Sequence, residues 1–268
     1  MSGHQEEILH GGSAGRRVVR VGDTVRHLAG PWSSSVDSLL LHLEAVGFEG
    51  APHALGYDDL GRQVLSYVPG HATADPGDLN VLAVKHVGHL IRELHDALST
   101  FPLPPTAIWN VAIKPHSTKL ICHNDLASWN FVRRTGSTTF IDRDGAGPGS
   151  RLWDLAYAAH GFIPLSTRSG LHDTELPERL AALVDGCGLD ERERLSLVNL
   201  LAPRINSMDQ LLHRSWVEGV DPWRTLWSEG HGDAWREDHE FVVTRLNWWM
   251  SPCVAIPRLL LDQISHKH

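Results

Sequence analysis

The chain has 268 residues, 42% hydrophobic and 21% charged, which is the balance of a soluble globular protein with core enough to need neither disulfide nor structural metal. Its formal charge of −8 argues against nucleic acid as a partner and suits a neutral or cationic small ligand. No apolar run reaches the ~20 residues a membrane helix needs, the first residues lack the basic flank and apolar stretch of a signal peptide, and Cys122, Cys187 and Cys253 have no ligand spacing, so a cytoplasmic protein with no membrane partner is expected.

In chain order, "EEIL", "RRVVRVG", "TVRHL", "PHALGYD" and "RQVLSYV" are short β-rich runs split by turns at Gly11-Gly12, Gly22-Asp23 and Asp58 to Gly61. Between them Val36, Leu39, Leu40 and Leu43 keep helical spacing, with Ser33 to Ser35 as N-cap candidates and Gly47 after the last turn. "PGHATADPGD" at 69–78 reads as a joint. Beyond it Val81, Val84, Val87, Leu90, Ile91, Leu94 and Leu98 predict a buried helix over 79–99. Strands are expected to end at Ile121 and to cover 130–133 and 138–142, and helices lie near 151–161, 176–186, 190–213, 233–249 and 254–264. The expected fold class is α+β in two lobes, a small β-rich lobe over 1–69 and a larger, mainly helical lobe over 70–268.

The stretch "CHNDLASWNFV" at 122–132 sets His123, Asp125 and Asn130 between two apolar segments. On a loop entering a hairpin, Asp125 and Asn130 face one point in space, and Asp142, closing the strand "TTFID", returns to it. Two carboxylates and an amide suit a hard cation with oxygen ligands. They also suit phosphoryl transfer, in which one Asp takes the proton of the attacking hydroxyl while an Asn and a second Asp hold Mg²⁺ on the nucleotide phosphates. The plain alternative is an Asp/Asn turn joining two strands.

"HNDLASWNFV…TTFIDRDGAGPGSRLWDLAY" resembles the aminoglycoside phosphotransferase and choline kinase family, whose fold is similar to that of protein kinases. The resemblance is strong over 119–160, collinear over 6–70 and nearly absent beyond 165. It implies a small-molecule kinase that uses one or two Mg²⁺ and a nucleoside triphosphate, ATP or GTP. Asp125 would be the catalytic base and Asn130 and Asp142 the metal ligands, while His123 and Asp154 would be structural, Asp154 bonding backbone of the catalytic loop. Two residues depart from the pattern: Trp129 is large for a site beside the metal, and Arg143 follows the metal Asp where an apolar residue is common.

The first lobe offers matching parts. "HGGSAGRRVV" supplies a glycine turn for phosphates, with Gly12 and Ser13 at its tip. Arg26 on "TVRHL" and Glu44 on the helix are the expected cation–acid pair, with Arg17 or Arg20 as the counterpart if the strand register differs. The Ser66 carbonyl and the Val68 amide, before Pro69, are expected to meet the nucleotide base by analogy of position.

Residues 207–240 hold eight acids against three arginines, with Trp216, Trp223, Trp227 and Trp235 interleaved. Carboxylates among aromatic faces suit a polycation through charge pairing and cation–π contact; the alternative is a solvated acidic face over core tryptophans. Asp209, Glu218, Glu237, Asp238 and Trp129 are the candidate acceptor contacts. The expected acceptor is a hydroxyl of a cationic antibiotic, an aminoglycoside or a tuberactinomycin-type cyclic peptide such as viomycin or capreomycin. Alternatives are a metabolic kinase for choline, an amino alcohol or a sugar, and a non-catalytic immunity protein that sequesters a cationic toxin.

Overall fold

The structure is a computed structural model, and it describes residues 6–9, 17–73, 75–115, 117–172 and 174–250. The expected glycine turn with Gly12 and Ser13, the helix over 254–264 and Cys253 lie outside the described residues.

The N-terminal part is an antiparallel sheet of β1 (Glu7–Leu9), β2 (Val18–Val21), β3 (Thr24–Leu28), β4 (Ala54–Tyr57) and β5 (Arg62–Ser66), in the order β1-β2-β3-β5-β4. The β2–β3 turn is Gly22-Asp23, where Gly22 takes φ +61°, a conformation that favours glycine. Helix α1 (Ser33–Ala45) buries Val36, Leu39, Leu40 and Leu43, one stripe at 3.6-residue spacing.

The chain then leaves the sheet through β6 (His71–Ala72), which pairs not with the first sheet but with β8 (Phe131–Arg134). Helix α2 (Val81–Leu98) starts at Asn80, whose side chain accepts the Ala83 N–H, and buries Val84, Val87, Leu90, Ile91, Leu94 and Leu98. β7 (Leu120–Cys122), β8 and β9 (Ser137–Phe140) follow; β8 and β9 form a hairpin, while β10 (Gly147–Gly149) pairs antiparallel with β7.

The remainder is helical: α3 (Arg151–Phe162), α4 (Glu175–Gly186), α5 (Glu191–Glu218), α6 (Trp223–Ser228), α7 (His231–Val243) and α8 (Leu246–Met250). Helices α2 and α4 cross at paired glycines. A Cβ on Gly88 would stand 2.4 Å from Leu183 O, and one on Gly186 would stand 2.1 Å from Lys85 O. Helix α5 runs five residues past the expected end at 213, from a capping box of Asp190 and Glu193 to a left-handed Gly219. The sequence reading missed β6, β10 and α6, each six residues or shorter, and merged α7 and α8 across Thr244 and Arg245. No helix among the described residues is long and apolar enough to cross a membrane. The fold is the expected one: a small antiparallel sheet with one helix, followed by a larger helical lobe carrying a hairpin.

Candidate active site

The site grows from the buried end of β7. His123 is fully buried, and its Nε2 donates to Ile141 O at 3.1 Å across the hairpin. Burial, then the nearby Arg143 charge, press its pKa to about 3, so the ring is neutral and its role is to tie the loop to β9. Asn124 takes a left-handed backbone, φ +64°, and its Nδ2 donates to Gly145 O at 3.0 Å.

That turn is held from beneath by Asp154 of α3. Its carboxylate accepts the N–H of Asn124 at 2.8 Å, the N–H of His123 at 3.2 Å and the Nε2 of His95 at 2.9 Å. His95, Cys122 and Asp154 lie close enough to suggest a metal centre. The carboxylate is already occupied by three donors, however, and burial drives the Cys122 thiol strongly toward its protonated form. The arrangement is a structural lock joining α2, α3 and the loop.

Asp125 follows, half-buried. Asn130 Nδ2 donates to its carboxylate at 2.8 Å and to its carbonyl at 3.0 Å, and the Tyr157 hydroxyl donates to the carboxylate as well. Burial raises the Asp125 pKa, while these two donors and the buried Arg204 guanidinium pull against it; the net shift is upward. Arg204 lies 4.3 Å from the Tyr157 ring centroid.

Asn130 closes a short 3₁₀ turn, and its carbonyl accepts the Ile141 N–H at 2.9 Å, which brings the start of β8 beside the residue that precedes Asp142. Asp142 is exposed and has φ +56°, strained for a residue with a side chain. Asp125, Asn130 and Asp142 are therefore brought to one edge of the loop and hairpin. The donor chemistry suits a divalent cation: the Asn130 side chain bonds Asp125 through its nitrogen, so its amide oxygen and the Asp142 carboxylate are both hard oxygen donors.

The expected Arg26–Glu44 pair is not made. Side chains alternate along β3, and Arg26 bonds Asp58 at 3.4 Å, whereas Glu44, exposed near the end of α1, meets His53 at 3.2 Å. The alternative cation Arg20 lies over the Tyr67 ring at 3.9 Å and bonds Gly22 O, and Arg17 is exposed. His27, next to Arg26, faces a cavity shared with Gln63 and Arg143. Ser66 uses its N–H and hydroxyl on His53 at 3.0 and 2.8 Å, and Val68 is half-buried between β5 and β6.

The candidate acceptor acids are mostly taken by the chain's own cations. Arg168 bonds Glu237 and, at 2.7 Å, Asp238, which also accepts from His160 at 3.0 Å. Arg236 bonds Asp209 at 3.0 Å. Glu218 is exposed at the end of α5. Beside Asp125 stand instead Ala127, Tyr157, Met208 and Leu211, with Trp129, Trp223, Trp235 and Ile113 packed against them. Sequence reasoning missed Tyr157 and Arg204. Their signal was weak, a tyrosine one residue past "DLA" and an arginine inside a helix.

The sequence pattern of the phosphotransferase enzyme family matches residues 103–198, which span this loop and α3. The trifolitoxin immunity protein of Rhizobium leguminosarum bv. trifolii is 34% identical over 217 residues, 73% of this chain and 79% of that protein. Among solved structures, an amicoumacin kinase superposes with a TM-score of 0.67 at 14% identity, covering 96% of this chain and 92% of its own. A choline/ethanolamine kinase family protein from Mesorhizobium loti does so with a TM-score of 0.60 at 18% identity, covering 94% of each chain. At these identities the structural likeness is one of fold.

Proposed function

The chain belongs to the phosphotransferase enzyme family, and from that membership we propose that it moves the γ-phosphate of ATP or GTP onto a hydroxyl of an antibiotic or peptide toxin, protecting the cell that carries it. The observation that carries this reading is the Asn130 bond to the Asp125 carboxylate with Asp142 beside it across the hairpin. In this reading Asp125 takes the proton of the acceptor hydroxyl, and its raised pKa makes it a better base than an ordinary carboxylate. Asn130 and Asp142 hold Mg²⁺, which would neutralise and orient the nucleotide phosphates. His123 and Asp154 keep the loop in place. The segment 1–69 serves the nucleotide, Gly12 and Ser13 being assigned to its phosphates from the sequence pattern and Ser66 and Val68 to its base, while 70–268 carries the chemistry and the acceptor. Arg26 and Glu44 do not act as a pair, since Arg26 bonds Asp58 and Glu44 meets His53.

The acceptor reading narrows from a polycation to a molecule with few positive charges. Three of the four candidate acids are neutralised by Arg168 and Arg236, and a buried Arg204 stands near Asp125. The body of such an acceptor lies against Trp129, Trp223 and Trp235, and any cationic group meets Glu218 or the exposed rim. An immunity role is supported by the name of the 34% identical relative.

A second reading, a binder that sequesters its toxin without turnover, is favoured by one observation. The Tyr157 hydroxyl occupies Asp125 as an acceptor hydroxyl would. Incubation with Mg²⁺ and ATP or GTP against aminoglycosides, tuberactinomycins, hydroxyl-bearing peptide toxins and choline separates the two. A panel member that gains one phosphoryl group by mass supports transfer; tight binding with no mass change under either nucleotide supports sequestration.

A further inference from the structure

Arg143 follows the proposed metal ligand Asp142 and borders the same small cavity, but the two differ sharply in burial. Asp142 is exposed, whereas Arg143 is 3% exposed and none of its three guanidinium nitrogens has a hydrogen-bond partner within the protein. Burial lowers its pKa to about 10, so it stays a cation at neutral pH. A buried, unsatisfied guanidinium is costly and needs a compensating partner.

A candidate hydrogen-bond partner lies across a largely enclosed cavity of about 30 Å³ whose lining includes Arg143, the flanking Asp142 and Asp144, Gln63, His27, Val36 and Leu40. Gln63 of β5 is 0% exposed; its Nε2 donates to Asp37 of α1, and its Oε1 is buried without a partner. Asp37 also bonds the Tyr57 hydroxyl of β4. The volume suffices for a water, which needs at least two polar partners, and donors stand on one wall with an acceptor on another.

We infer that buried water in this cavity accepts from the Arg143 guanidinium and donates to Gln63 Oε1, and that Arg143 is a positioning residue for Asp142. The link runs from α1 and β5 through water to the loop after β9. It couples the first sheet to the proposed metal ligand, as an Arg26–Glu44 pair would have coupled sheet and helix. It also anchors the residue next to a backbone strained at φ +56°. The metal-positioning half rests on the phosphotransfer reading; the water and the coupling do not.

Two measurements test it. A crystal structure at a resolution that shows ordered solvent should place a water within hydrogen-bond distance of both Arg143 and Gln63 Oε1; a guanidinium bonded directly to protein, with no water reaching Gln63, would overturn the link. Calorimetric titration of ATP with and without Mg²⁺ should show that Arg143→Met and Gln63→Leu each reduce the Mg²⁺-dependent gain in affinity by roughly 10- to 100-fold, as loss of a ligand-orienting partner does. The Mg²⁺-free affinity should be unchanged, and the double variant should resemble either single one. Additive losses, or Mg²⁺ dependence equal to wild type, would overturn the proposal. If Arg143→Met fails to fold, Gln63→Leu keeps the cation and still removes the link. Wild-type protein that binds no nucleotide would overturn the phosphotransfer reading and the metal-positioning half, and the crystallographic water would then judge the link alone.

Discussion

Asn130 and Asp125 form one unit: the Asn130 amide nitrogen donates to the Asp125 carboxylate at 2.8 Å and to its carbonyl at 3.0 Å. The side chain proposed to hold the metal is thus the one that aims the proposed base. Replacing Asn130 by Ala should remove a ligand and release Asp125 together. Turnover is expected to fall by ~10²-fold or more, with added Mg²⁺ restoring only part of it. Full rescue by Mg²⁺ would show that the hydrogen bonds to Asp125 are dispensable.

Gly161 sets the depth at which α3 meets the loop. A Cβ there would stand 2.7 Å from Ala127 Cβ and 2.8 Å from Leu126 O. Gly161→Ala must push back backbone next to Asp125, and such overpacking costs about 1–3 kcal/mol. Thermal unfolding should register that loss, and kcat should fall while the KM for nucleotide is retained. A variant with wild-type stability and kcat would mean that the loop moves aside without consequence.

Asp238 and Glu237 are neighbours on α7 with unlike roles. Asp238 is 5% exposed and bonds both His160 and Arg168, whereas Glu237 is exposed and bonds Arg168 alone. Asp238→Ala should cost roughly 2 kcal/mol by stranding two donors, and Glu237→Ala should stay within about 0.5 kcal/mol. Denaturant titration checks both. Equal effects, or an acceptor KM that rises in step with the Asp238→Ala loss, would return these acids to acceptor binding.

The buried His123 makes a pH prediction with a definite sign. Its pKa is lowered from 6.5 to about 3 by burial and by Arg143, so the folded protein refuses a proton that the unfolded chain accepts. The stability tied to the neutral ring is fully present above about pH 6.5. It is lost as pH falls toward about 3, by up to about 1.4 kcal/mol per pH unit. Against wild type, His123→Gln should show a shallower fall in melting temperature over that window. Parallel curves would place the acid sensitivity elsewhere.

How much of this was legible in the sequence follows from the range of the forces involved. The five strands, α1, α2 and the β8–β9 hairpin are set by local periodicity and by turn residues such as Gly22 and Gly61, which a sequence displays. Asp125 and Asn130 precede, and Asp142 follows, one short hairpin, so its two ends bring their backbone together. What failed depends on strand facing and on distant partners. Arg26 and His27 are adjacent in sequence, and only the sheet register decides which of them faces α1. Arg168 lies 70 residues from Asp238, so no local pattern announces that the acids are already paired. Arg143 could be seen as a departure, but its burial against Gln63 could not.

The central claim is that Asp125 acts as a base in transfer rather than as part of a trap. The most direct test measures, for wild type and Asp125→Ala, both the binding of the acceptor that the panel identifies and the rate of phosphate transfer to it in the presence of Mg²⁺ and nucleotide. The account predicts acceptor affinity within a few-fold of wild type and turnover reduced by ~10²–10⁴-fold. Undiminished protection of cells and unchanged acceptor binding by Asp125→Ala, with no phosphorylated product from the wild type, would contradict it.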